Sequence, residues 1–276
     1  MGNHVKRAIL CPGCGKLISA NAESCIHCGM KNPGRLGIHT ALQKLFRGRL
    51  ELVQFIIYFC VGLFVVSLLL EPGAILKIEG FYNLLSPSNV SLFLLGGTGD
   101  LALRYGRWWT IITAIYLHGS LLHIFFNMLL LKQIGPLVQD VFGTARFMII
   151  FTFSGAFGFI LSNLLDGHLT IGASGSIFGL LGAMIYYGKA RGGVFGNAVY
   201  RQLLIWAIVL FLFGLLSGTR VNNWAHLGGL AGGFVTATLF GYQEKRTETY
   251  RVRLLSGALI IITLVAFLTN LALLII

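Results

Sequence analysis

Residues 171–179, Ile171-Gly172-Ala173-Ser174-Gly175-Ser176-Ile177-Phe178-Gly179, open an apolar run that continues to Tyr187. A serine set among glycines at the head of a membrane-length segment has two readings. Small residues let transmembrane helices pack closely, so the stretch can be a packing face. It can also hold a nucleophile, if the rest of the chain brings a base and an oxyanion site to the same membrane depth. Alone, the stretch favours packing, because short motifs match by accident.

The surroundings are those of a membrane protein. The chain has 276 residues, 56% of them hydrophobic and 11% charged, too apolar for an ordinary soluble domain. About 20 apolar residues cross the ~30 Å hydrocarbon core. Seven runs approach that length, at roughly 50–69, 113–133, 146–165, 171–188, 201–216, 222–241 and 254–275. They lack the period-two alternation of barrel strands. The expected fold class is all-α, a polytopic membrane helical bundle preceded by a small cysteine-bearing domain.

The formal charge of +12 is a topology signal rather than a nucleic-acid footprint. Of 21 Lys and Arg, 17 lie on the side that holds the N-terminal tail and the loops around 134–146, 188–201 and 242–253. The other side holds only Lys77, Arg104, Arg107 and Arg220. The positive-inside rule then puts the N-terminus in the cytoplasm and the C-terminus outside. We expect a multi-pass protein of a bacterial or archaeal plasma membrane. The first apolar run starts near residue 50 with no small-residue cleavage site close behind it, so it reads as a retained span and not a leader.

Residues 1–34 form the separate domain. Cys11-Pro12-Gly13-Cys14 and Cys25-Ile26-His27-Cys28-Gly29 are two C-x-x-C knuckles, similar to a small zinc ribbon. Four thiolates so spaced can close a tetrahedral Zn2+ site. Disulfides are the alternative, disfavoured where cytosolic thiols stay reduced; spacing leaves iron or a cluster open. His27 reads as a loop residue, and Cys60 in the first span as a small core residue. Residues 35–49 form a basic linker drawn to anionic lipid heads. A protein partner of the ribbon is possible, and nucleic acid is disfavoured. A six-helix core then spans 50–241, and 242–276 holds a loop and the seventh span.

Between the first two spans, Pro72, Gly73, Pro87, Gly96, Gly97 and Gly99 exclude a single helix. The pieces Phe81–Leu85 and Val90–Leu95 are too short to cross and read as interfacial, as do Trp108 and Trp109. Span two carries His118-Gly-Ser-Leu-Leu-His123-Ile-Phe-Phe-Asn127. Such groups inside a membrane mark interhelical hydrogen bonds or a site. Span six carries His226, followed by Gly229 and Gly233, which let a partner helix approach. Ser154 and Ser162 can back-bond to their own helix.

Spans two, four and six run from outside to inside in this topology. Ser174 and His226 then lie about 5–8 Å below their helix starts, at the level of His123. A serine hydroxyl needs a base to become a nucleophile; His226 is the candidate. His123, Asn127 and the Ser174 N–H are candidate oxyanion donors, and Phe178 can hold the His226 ring. None of the nine acids lies inside an expected span, and only Asp166 comes near, so a Ser–His dyad is indicated.

The patterns Gly172-x-Ser174-Gly175, His118-x4-His123-x3-Asn127 and Ala225-His226-x2-Gly229-x3-Gly233 resemble the rhomboid family of intramembrane serine proteases, over spans one to six in order. The resemblance implies a six-helix core with a long first outer loop at the membrane surface. It also implies cleavage of transmembrane segments in the lipid bilayer, near its outer leaflet. By it Ser174 is the nucleophile, His226 the base, His123 and Asn127 oxyanion donors, and His118 a structural partner of the first loop. It implies no catalytic cofactor. Two positions depart from the pattern: Trp109 is followed by Thr110 where many members have Arg, and Phe178 stands where many have Tyr. The alternatives are a catalytically silent relative that binds client helices, and a transporter, which would call for charge pairs inside the membrane.

The 17-to-4 asymmetry predicts that a reporter fused near residue 5 reports the cytoplasm and one after Ile276 the outside. The same side for both would contradict seven crossings.

Overall fold

A computed structural model describes residues 8–11, 14, 16–19, 21–30, 33, 49–75, 84–216 and 221–275. The linker over 35–48, Lys77, residues 81–83 and Arg220 lie outside the described residues. Strands β1 (Ala8–Leu10) and β2 (Leu17–Ser19) pair antiparallel with Ile9 opposite Ile18. The Cys11 N–H bonds the Lys16 carbonyl and the Cys25 N–H that of Met30, closing two knuckles.

Seven long helices follow among the described residues. They are α1 (Arg49–Leu70), α2 (Leu121–Phe142), α3 (Thr144–Leu165), α4 (Ser174–Arg191), α5 (Gly193–Leu216), α6 (Asn223–Phe240) and α7 (Tyr250–Ile275). Together they make a polytopic helical bundle. Five of them, α1, α2, α3, α5 and α7, are long and apolar enough to cross a membrane. The other two, α4 and α6, have only 18 residues each and are rich in glycine. α4 needs less apolar surface because neighbouring helices cover it, whereas α6 keeps Trp224, Leu227, Val235 and Leu239 exposed. Residues 175–185 of α4 are buried without a break, as befits a helix enclosed on all sides.

Lipid tails are as apolar as leucine, so helices in a membrane gain from close packing rather than from escaping water. The α4–α6 contact shows that effect. A Cβ added at Gly229 would fall on the Gly175 carbonyl oxygen, one at Gly233 on that of Gly179, and one at Gly182 on that of Leu230. α3 meets α6 in the same way, since a Cβ on Gly158 would strike the Ala225 carbonyl.

Contacts at both ends set α3, α6 and α7 relative to one another. At one end, Asn222 before α6 bonds Asp166 after α3, and Asn270 near the close of α7 bonds Trp109. At the opposite end, Arg146 at the start of α3 bonds the Arg246 and Thr247 carbonyls. Glu248 there accepts from the Ala145 and Arg146 N–H groups. Burial pushes the Glu248 carboxyl up, against those N–H groups and Arg253, which pull it down.

The segment before α2 corrects the expected span 113–133. Residues Thr110–Thr113 form a short α-helix and Ala114–Tyr116 a 3-10 turn; Leu117 is extended. The long helix begins only at Leu121, because the Ser120 Oγ accepts the His123 N–H at 3.2 Å as an N-cap. His118 therefore precedes the helix. Likewise α4 begins at Ser174 and not at 171, since Gly172 adopts φ +119°, outside the helical region. Ser174 thus stands at its helix start, above the expected depth.

Replacing Gly233 with Val should lower stability by about 1–3 kcal/mol or more, as overpacking does. Gly62→Ala, where an added Cβ meets nothing within 4 Å, should stay within about 1 kcal/mol. Thermal unfolding of the purified protein checks both, and an unaffected Gly233→Val would contradict the packing argument.

Candidate active site

The starts of α2, α4 and α6 share one end of the bundle, and the expected site residues sit on them. The loop into Ser174 is tied from the side: Thr98 and Thr170 exchange N–H···O bonds of 3.2 and 2.7 Å, Asp100 N–H meets the Gly167 carbonyl at 2.8 Å, and Gly172 N–H meets the Ala114 carbonyl at 2.9 Å. The N-cap of α4 is Ala173, which offers no side-chain acceptor. The first helical bond is Ile177 N–H to the Ala173 carbonyl, so the N–H groups of Ser174, Gly175 and Ser176 have no intrahelical partner. That is the donor array that favours negative charge at a helix start.

His123 faces this array. Its Nδ1 accepts the Gly119 N–H at 3.3 Å, which leaves the proton of the neutral ring on Nε2. A Cβ on Gly172 would lie 2.7 Å from that Nε2 and 3.9 Å from the Ser174 Oγ. Only glycine leaves that space open. Asn127, buried one turn further along α2, donates from Nδ2 to the His123 carbonyl at 2.8 Å. Its second amide hydrogen is uncommitted to that bond. The His118 ring is buried and meets His123 edge-on, with centroids 5.1 Å apart.

His226 is the fourth residue of α6 and is buried. Phe178 stacks on it, with centroids 4.3 Å apart and planes 13° from parallel. Its Nδ1 has no hydrogen-bond partner among the described residues. Asp166 instead accepts from the Asn222 amide at 2.9 Å and lies 3.6 Å from His168. The Gly175–Ala225 and Gly175–Gly229 approaches set the Ser174 turn against the His226 turn. An apolar cavity of about 190 Å³ opens beside His226, lined by Phe178, Leu204, Phe211 and Leu230 among others.

Residues not singled out from the sequence hold these elements. Asn222 caps α6 through the Ala225 N–H at 3.1 Å, while its Nδ2 reaches Ser162, Asp166 and Thr170. An Asn at a helix start was the available signal. Ser162 thus serves the cap, whereas Ser154 bonds its own helix at the Ile150 carbonyl.

At the other end of the sequence, the Sγ atoms of Cys11, Cys14, Cys25 and Cys28 all lie within 4.8 Å of one another. Cys11 and Cys28 are 3.7 Å apart, and Cys14 and Cys25 3.6 Å. Tetrahedral metal–sulfur bonds of about 2.3 Å separate their sulfurs by about 3.8 Å, so the set could hold a metal ion. Burial pushes the Cys25 thiol up, but the His27 and Cys28 N–H groups and the adjacent thiols outweigh it and bring Cys25 down to about 6. Burial, reinforced by the neighbouring thiols, pushes Cys28 up to about 12.

Comparison with known proteins bears on the bundle. A family model described as Rhomboid domain matches residues 105–243. The chain is 32% identical to Rhomboid protease GluP of Bacillus subtilis (strain 168) over 66% of its length and 36% of that protein. It is 36% identical to RHOMBOID-like protein 4 of Arabidopsis thaliana, over 55% of this chain and 39% of the relative. It is 31% identical to Putative rhomboid protease YdcA of B. subtilis, over 53% of this chain and 74% of the relative. The chain thus spans well under half the length of the first two.

The cap predicts a stability effect. Asn222→Ala should cost about 1–2 kcal/mol, measured by thermal unfolding, and Asp166→Asn less, since Ser162 and Thr170 still accept from Asn222.

Proposed function

Since the chain belongs to the Rhomboid family, we propose that it is an intramembrane serine endopeptidase that cuts transmembrane segments of membrane proteins near the outer leaflet. One observation carries this reading: the uncapped start of α4, the Nε2 of His123 and the stacked His226 meet at one end of the bundle. In the reaction, the Ser174 Oγ attacks the scissile carbonyl while His226 takes its proton. The oxyanion is held by the Ser174 N–H, His123 Nε2–H and Asn127 Nδ2–H. His226 returns the proton to the leaving amine, and water then hydrolyses the acyl-enzyme by the same steps. With no carboxylate on Nδ1 among the described residues, Phe178 orients the base in place of an acid. The cavity beside His226 would receive an apolar substrate side chain.

A helical peptide bond is shielded, so the substrate must unwind before attack. Cuts are expected near the outer end of a substrate helix, beside small residues, with Gly or Pro nearby favouring cleavage. The test is incubation with a panel of single-span substrates, read by mass spectrometry of the cut site. Ser174→Ala and His226→Ala should each abolish turnover with the bundle intact, and Asn127→Ala should lower it about 10–1000-fold. A Ser174→Ala protein that still cuts at the same bond would falsify the mechanism. Binding without cleavage by the wild type would favour the silent client-binding alternative.

In the ribbon, Cys11, Cys14, Cys25 and Cys28 would hold a structural Zn2+, which closes the two knuckles. Purified protein should carry about one zinc per chain, displacing the remaining thiol protons. Metal analysis should find it lost on replacing Cys11 and Cys25. With the ribbon on the cytoplasmic face, cleavage in detergent should survive that loss.

A further inference from the structure

Helix α7 lies outside the matched family domain, yet it is bonded to the segment that holds the site. Its single asparagine, Asn270, is buried at 2% exposure. The Oδ1 accepts from Trp109 Nε1 at 2.8 Å and from Arg107 Nη2 at 3.0 Å. The Nδ2 donates to the Leu95 carbonyl at 3.2 Å and to Thr113 Oγ1 at 3.3 Å. Two donors on one side and two acceptors on the other fix the amide orientation and use its full capacity.

The bonds continue from there to the site. Thr113 donates to the Gly96 carbonyl at 2.7 Å. Gly96 has φ +108°, and a Cβ there would strike Asn270 and Thr113. Arg107, 7% exposed, also donates to the Leu94 carbonyl and lies 4.5 Å over the Phe93 ring. One residue past Thr113, the Ala114 carbonyl receives the Gly172 N–H, two residues before Ser174. The Thr98–Thr170 bridge pins the same loop from the other strand.

We propose that Asn270 is a positioning residue, through which α7 holds the outer segment 94–114 and, by way of the Ala114–Gly172 bond, sets the placement of Ser174. It touches no reacting atom. Removing its carboxamide leaves a buried guanidinium and an indole N–H short of an acceptor, which the segment can relieve only by moving. A small displacement of a nucleophile is enough to slow attack.

The proposal rests on Ser174 being the nucleophile, so the test has two arms on the full-length protein. One measures kcat and KM on a single-span substrate with Gly and Ala at its outer helix end. The other measures hydrogen exchange over residues 167–173. Asn270→Leu should lower kcat about 10–100-fold with KM within about threefold, and speed exchange about tenfold. Asn270→Asp keeps the acceptor for Arg107 and Trp109 and should return kcat to within about threefold of wild type. Wild-type kcat or unchanged exchange in Asn270→Leu overturns the proposal, as does an equal loss in Asn270→Asp. If Asn270→Leu does not fold, Thr113→Val, which cuts the bond to Gly96, takes its place, and a wild-type kcat there overturns it. If the wild type cuts nothing, the protease reading fails and the exchange arm still decides the tie.

Discussion

Everything at the site depends on the distance between two helix backbones. α4 and α6 touch carbonyl to Cα at Gly175/Gly229 and Gly179/Gly233, where any side chain would force them apart. In lipid that closeness is the main source of packing energy, since burial from water contributes nothing between helices within the bilayer. It also places the turn bearing Ser174 against the turn bearing His226. One contact therefore carries the packing reading of residues 171–179 and supplies the geometry on which the proposed catalytic reading rests.

The second constraint is polar. Backbone groups at membrane depth need partners, and the start of α4 leaves three N–H groups without any inside the helix. Around them most groups are committed: Asn222 to Ser162, Asp166 and Thr170, Gly119 to His123, Gly172 to Ala114. This network ties the loop into Ser174 at several points, while the helix itself gives the N–H array no partner. Preorganised donors of that kind need not reorganise as charge develops.

Much of this was legible in the sequence, for identifiable reasons. The seven helices appear because apolar runs of membrane length are few-valued, and the glycine spacing of span six points to close packing. Ser174, His226, His123 and Asn127 stand out because polar groups are rare in such runs. The helix starts were less legible. The cap at Ser120 and the positive φ of Gly172 override apolarity, so α2 and α4 begin later than hydropathy suggests. Asn270 was unreadable: its partners Arg107 and Trp109 lie more than 160 positions away, and no local pattern encodes that distance. Trp109 is followed by Thr110 where many rhomboid members have Arg. Here the Trp109 indole N–H donates to Asn270 of α7, which also accepts from the buried Arg107.

The central claim is that Ser174 is a nucleophile activated at this depth by His226. Its most direct measurement is the mass and peptide map of purified protein after exposure to a fluorophosphonate. The account predicts a single adduct on Ser174, lost in His226→Ala. A folded wild-type protein that takes up no adduct, or carries it on another serine such as Ser176, would contradict it.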